Sequence, residues 1–135
     1  MHAPPIGRQL PRDALSKRND LFTRLSSSPG ARLVDVTAPM LAGRLVVPNA
    51  FLYSKHDYYP ATAQRLGYQG DVLIGMVIGV DGSTQDVTVL EGSSYPSLDS
   101  AAVKFYEEGR FTTPVTLDGQ PVRAFFYQTY RFRLR

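Results

Sequence analysis

Ser94, His56 and Asp99 bring together a hydroxyl, an imidazole and a carboxylate, the three side chains of a nucleophilic triad. Gly92-Ser93-Ser94 reads as the start of a nucleophile elbow, but Pro96 stands where the second glycine of that motif belongs. Ser94 and Ser97, on either side of Pro96, are more simply read as caps of a helix that follows. His56-Asp57 would supply half of a metal or proton-transfer site, yet the only other histidine is His2 and the chain contains no cysteine. The lack of cysteine also excludes disulfides, thiolate ligation and thiol catalysis. Gly75, Gly79 and Gly82 fall in a strand and its turn rather than at a helix entry, so they do not make a phosphate cradle. The residue types therefore predict a protein that is not an enzyme and that carries no metal or other cofactor.

A second constellation lies near the C-terminus. Arg123, Phe125, Tyr127, Thr129, Arg131 and Arg133 alternate with apolar residues and share one face of an extended segment. Three readings compete. Arginines interleaved with aromatic rings can stack single-stranded nucleic acid. They can equally be a solvated face whose charges discourage edge pairing. Or the segment is an edge strand whose backbone N–H and C=O groups take up a peptide as an added strand. A net charge of +3 is small for a polynucleotide site, so peptide addition is favoured and no nucleic-acid partner is expected.

The elements that hold these residues can be read from periodicity. Leu15, Leu21, Phe22 and Leu25 form a weak helical stripe between Asp13 and Leu25, which Ser26-Ser27-Ser28-Pro29-Gly30 ends. Leu33 to Val36 and Leu45 to Val47 are short β-prone runs. Pro60 opens a short helix with Ala63 and Leu66 as its buried contacts, and Gly67 closes it. From Gly70 to Val80, Val72, Ile74, Met76, Ile78 and Val80 make one large apolar face, while Gly75 and Gly79 leave the other thinner and nearer solvent. Asp81-Gly82 predicts a tight hairpin into a strand reaching Glu91. Leu98, Ala101, Ala102 and Phe105 mark a second helix ending at Gly109. Asp118-Gly119 turns the chain into a last strand from Val122 to Leu134. Strands linked by hairpins, with helices on one face, define an α+β fold. The expected core is a three-stranded antiparallel sheet with two helices packed on one face, extended by an added N-terminal strand or helix. Residues 1–55 read as a linker or partly ordered extension and 56–135 as the domain.

Composition agrees with one modest domain: 135 residues with 43% hydrophobic content. No run approaches the roughly 20 apolar residues of a membrane helix, and Pro4, Pro5, Gly7 and Arg8 interrupt any signal-like segment.

Taken in order, Tyr59-Pro60, Gly70-Asp71-Val72, Asp81-Gly82, Ser93-Ser94, Leu98-Asp99, Ala101-Ala102, Asp118-Gly119-Gln120-Pro121-Val122 and Tyr130-Arg131-Phe132-Arg133-Leu134 resemble the C-terminal domain of TonB energy transducers. The resemblance covers Tyr59 to Leu134. It implies a periplasmic domain that grips the TonB box of TonB-dependent outer-membrane receptors by strand addition and drives uptake of substrates such as siderophores. It further implies an inner-membrane anchor and an ExbB/ExbD-type motor, engaged through a segment outside this chain. Carried onto this sequence, the box pairs with residues 123 to 134, with Tyr58 and Asp57 as further contacts. The alternative is a structural interaction module that uses the same edge to form a homodimer or a larger assembly.

Overall fold

The structure, a computed structural model, describes residues 10–27, 32–53 and 58–134. In chain order its elements are α1 (Arg12–Ser26), β1 (Val34–Asp35), a 3-10 turn (Pro39–Leu41), β2 (Leu45–Val46), β3 (Phe51–Leu52), α2 (Ala61–Arg65), β4 (Gly70–Ile78), β5 (Thr84–Glu91), α3 (Pro96–Glu108), β6 (Arg110–Phe111), β7 (Val115–Leu117), β8 (Gln120–Val122) and β9 (Ala124–Phe132). The main sheet has the order β1-β9-β4-β5. Its α+β class is the one expected from sequence, and β1 is the added N-terminal strand beside the three expected ones. β1 runs parallel to β9, whereas the other pairs are antiparallel.

The alternation of β4 decides the layering. Val72, Ile74, Met76 and Ile78 are fully buried on one face, beside Ala124, Phe126 and Phe132 of β9. Leu98, Ala101, Ala102, Phe105 and Tyr106 of α3 and Ala63 of α2 pack onto that face. The fully buried Ala102 lets α3 approach the sheet closely. Each large apolar side chain enclosed here contributes about 1.5–3 kcal/mol.

The opposite face is not near solvent, as its glycines suggest. α1 covers it, and Ala14 and Leu21 pack with Leu73, Leu90, Phe125 and Tyr127. Gly75 is needed for this approach, because a Cβ there would come within 3.0 Å of Leu90 and 3.4 Å of Leu21. Helices therefore occupy both faces rather than one. Within the predicted helical stripes, Leu15 and Leu66 are exposed, and so is Val80 beyond the end of β4. In α1 the buried line is Ala14, Arg18 and Leu21 instead.

The turns follow their residues. At Asp81-Gly82 only Gly82 has positive φ, and the bonds Gly82 N–H to Gly79 O (2.9 Å) and Gly79 N–H to Ser83 O (2.8 Å) enclose a three-residue loop. This is the bulged hairpin rather than the tight two-residue one. Asp118 and Gly119, both with positive φ, do form the tight turn between β7 and β8. Residues 32–53 add further pairings: β2 with β7, β3 with β6, and β1 with β9.

Candidate functional site

β9 is held on one side by an unbroken nine-pair antiparallel register with β4, from Ala124↔Ile78 to Phe132↔Gly70. On the other side, β1 pairs with Ala124 and Phe125, through Val34 N–H to Arg123 O (3.0 Å) and Val36 N–H to Phe125 O (3.2 Å). Backbone groups of a strand alternate between its two sides. Arg123 and Phe125 thus address the β1 side, and the unbroken register carries the same parity to Tyr127, Thr129 and Arg131. The even-numbered residues address β4.

The side chains predicted for this site divide by depth. Phe125 and Tyr127 are buried beneath α1, and Thr129 is nearly so. Arg131 and Arg133 are exposed, and Arg123 is half-buried. Arg123 and Arg133 lie just outside the ends of β9. Arg133 forms an ion pair with Asp71 (2.7 Å), and Arg123 donates to Gln85 Oε1 (3.3 Å). The six side chains thus do not form one continuous basic-aromatic surface. The main-chain groups of the odd-numbered residues point toward the β1 side, and Arg131 is exposed near the end of the strand.

Tyr58 is buried, donates its hydroxyl to Glu108 Oε1 (2.8 Å) and meets the Phe105 ring edge-on at 5.3 Å. Asp57 and His56 lie outside the described residues. Next to Tyr58, Tyr59 donates to the carbonyl of Tyr68 and packs against Phe132, fastening the entry of α2 to the end of β9. A cleft of about 340 Å³ opens here, lined by Tyr58, Tyr59, Pro60, Ser97, Ser100, Ala101 and Lys104.

The serine-rich entry to α3 is structural. Asp99 accepts from both the N–H and the hydroxyl of Ser93 (2.8 Å each), and Tyr95 N–H donates to Ser93 Oγ (3.1 Å). The capping position is Tyr95, with Pro96 at the first helical position, rather than Ser94 or Ser97. Ser94 instead takes positive φ in the loop. Asp99 is committed to Ser93 rather than to Ser94.

Two further groupings escaped the sequence reading. Arg18 lies between the rings of Phe22 and Phe125, its guanidinium 5.5 and 5.1 Å from their centroids. It makes an ion pair with Asp35 and reaches Thr37 Oγ1 (3.3 Å), while Asp35 accepts from the N–H and hydroxyl of Thr37 (3.0 and 2.7 Å). The spacing Ala14-Arg18-Leu21-Leu25 is the only signal in the chain, a helical stripe in which arginine takes an apolar position. Under α3, the buried Tyr106 hydroxyl donates to Gln128 Oε1 (2.8 Å). Burial raises the Tyr106 pKa, with a smaller contribution from Tyr130, so this phenol is a neutral donor. At the surface, Arg44 and Asp118 pair at 2.6 Å, which holds the carboxyl below and the guanidinium above their ordinary values.

The comparisons with known proteins agree with this architecture. Residues 55–134 match the family model described as Gram-negative bacterial TonB protein C-terminal. A TonB2 protein of Pseudomonas aeruginosa is 34% identical over 61 residues, which is 45% of this chain and 23% of that protein's length. The chain thus aligns with about a quarter of that relative. The solution NMR structure of the Pseudomonas aeruginosa TonB C-terminal domain superposes with a TM-score of 0.50 at 20% identity, over 75% of this chain and 93% of that one. With the family model matching more than half of the sequence, the chain belongs to the TonB C-terminal family.

Proposed function

We propose that this domain is the receptor-gripping end of a periplasmic energy transducer. The TonB box of an outer-membrane receptor adds as a strand beside β9, along Tyr127 to Arg131, continuing the row that β1 begins. The observation that carries this reading is the place of β9 in a domain that matches the TonB C-terminal family: it pairs along nine residues with β4, and its other side accepts an added strand, β1, at Ala124 and Phe125. Backbone hydrogen bonds supply the affinity, since Phe125 and Tyr127 are committed to the core under α1. Arg131 at the rim attracts an acidic residue of the partner and acts mainly on the association rate. Tyr58 and Asp57 provide a second contact to the box.

Force transfer suits this arrangement. A pull along the added strand shears β9 against β4, so the whole ladder is loaded together rather than opened one bond at a time. The pull originates in an ExbB/ExbD-type inner-membrane motor and arrives through an anchored segment outside this chain.

Because the chain contains no cysteine, a single Arg131→Cys variant tests the placement by disulfide trapping. Box peptides with a cysteine at successive positions should crosslink to Arg131→Cys in a period-two pattern, and not to Lys104→Cys on α3. Crosslinking at Lys104→Cys alone would overturn the reading. So would a chain that dimerises through β9 and excludes the peptide.

A further inference from the structure

At one end of the main sheet, three segments leave apolar side chains around a single groove. β1 and β9 run parallel and both begin there, while β4 finishes there with Ile78 opposite Ala124. The groove has a volume of about 540 Å³, within the range of roughly 300–1,000 Å³ usual for ligand sites. Val34 of β1, Val80 beyond β4, and Leu117 and Val122 of the β7–β8 hairpin supply its apolar lining. Val80 is 57% exposed, and Val34, Leu117 and Val122 are half-buried. One exposed valine is ordinary, but apolar side chains from three segments converging on a concave surface mark a place that another molecule covers.

The charges decide what that molecule is. Arg32 and Arg123 also line the groove. Among the described residues, neither makes an ion pair, and Arg123 donates only to the neutral Gln85. The carboxylates next to the apolar lining in sequence are engaged elsewhere: Asp35 with Arg18, Asp81 with Ser83 and Asp118 with Arg44. We infer that this groove is a docking site for a partner-protein segment in which bulky apolar residues are flanked by acidic ones. The apolar side chains take the floor, and the flanking carboxylates meet Arg32 and Arg123, whose planar guanidinium groups suit carboxylates. Two cations carried by different segments match charges spaced along a peptide better than one anionic head group. The site gives the domain a partner other than the receptor box and does not rest on strand addition at β9.

The test uses the whole chain and an array of short synthetic peptides whose central Leu-Phe pair is flanked by acidic, neutral amide or basic residues. Acid-flanked peptides should bind at least about tenfold more tightly than neutral ones, with amide shifts at Val34, Val80 and Leu117. Exchanging the Leu-Phe pair for two serines should abolish binding. Arg32→Gln and Arg123→Gln should each weaken the acid-flanked peptides about threefold, and together about tenfold. Affinity for the neutral peptides should stay the same in these variants, which separates lost charge from lost folding. Val80→Ser, at an exposed position, should weaken acid-flanked and neutral peptides alike, by about threefold. Equal affinity for acid-flanked and neutral peptides, or no binding to any of the array, would overturn the inference. So would shifts confined to Tyr127 to Arg131, which would place the peptide on β9. Binding to phosphatidylglycerol vesicles that the arginine variants abolish, with no peptide bound, would assign the groove to a lipid surface instead. A dimer in sedimentation that Val80→Ser dissolves would assign it to a second copy of the chain and equally refute the proposal. These outcomes read the same whether or not a receptor box pairs with β9.

Discussion

Placing proline at Thr129, and separately at Gln128, tests the parity of β9 that underlies the proposed interface. The register makes Gln128 the partner of Ile74, and its N–H addresses β4. Gln128→Pro deletes that donor and leaves the carbonyl of the fully buried Ile74 unpaired, at about 1–3 kcal/mol. It also strips the Tyr106 hydroxyl of its acceptor, at a similar cost of about 1–3 kcal/mol. The sum, roughly 2–6 kcal/mol, is a large part of the stability expected of a fold of about 120 residues, roughly 6–18 kcal/mol. Thr129→Pro spares the β4 ladder, because the Thr129 N–H addresses the β1 side. It should cost about 1–2 kcal/mol from restricted φ and lost packing. In urea this lowers the midpoint by about 1–2 M, whereas Gln128→Pro should lower it at least about twice as far. Peptide affinity of Thr129→Pro should fall at least about tenfold, since one ladder bond is lost and the ring clashes with the added strand. Equal damage from the two substitutions would refute the parity. A folded Thr129→Pro with native affinity would refute pairing at this side of β9.

Other expectations concern the scaffold. Gly109→Ala should destabilise by about 1–3 kcal/mol in urea unfolding, because its Cβ would run into the Phe51 ring and sit 2.5 Å from the Leu52 carbonyl oxygen. Tyr106→Phe should cost about 1–2 kcal/mol by the same measurement, since Gln128 Oε1 is buried and loses a donor. Asp118, whose folded pKa lies below 3.8 because of its bond to Arg44, stabilises fully above that value and loses its contribution as pH falls through the depressed pKa. Asp118→Asn should therefore flatten the acid limb of a stability–pH curve and leave its slope at neutral pH unchanged.

What the sequence revealed depended on how local the cause was. Val72, Ile74, Met76 and Ile78 alternate in an uninterrupted run, and Leu98, Ala101, Ala102 and Phe105 keep helical spacing, so the face they share was legible without coordinates. The second face was not. Gly75 and Gly79 look like thinning of the sheet, yet Gly75 makes room for Leu21 of α1, a helix far away in sequence. α1 is itself weakly apolar, and its buried line includes Arg18, which no periodicity argument counts as core. The same blindness affected the site: Phe125 and Tyr127 share a face with Arg131, but only tertiary packing shows which of them α1 covers. At Asp81-Gly82 the dipeptide announced a hairpin, while the loop length was set by the bulge at Gly82 and its Gly79–Ser83 bond. The four-stranded order followed from β1, which lies in the β-prone run Leu33 to Val36, while its parallel pairing with β9 depends on tertiary packing.

The most direct measurement of the central claim is an NMR titration of the isotope-labelled chain with a receptor-box peptide, read by amide shifts and by intermolecular contacts between backbone protons. Strand addition predicts contacts from the peptide to the amide protons of Tyr127, Thr129 and Arg131, alternating with silence at Gln128 and Tyr130. Contacts confined to β5, or to the cleft between Tyr58 and Lys104, with β9 undisturbed, would contradict it.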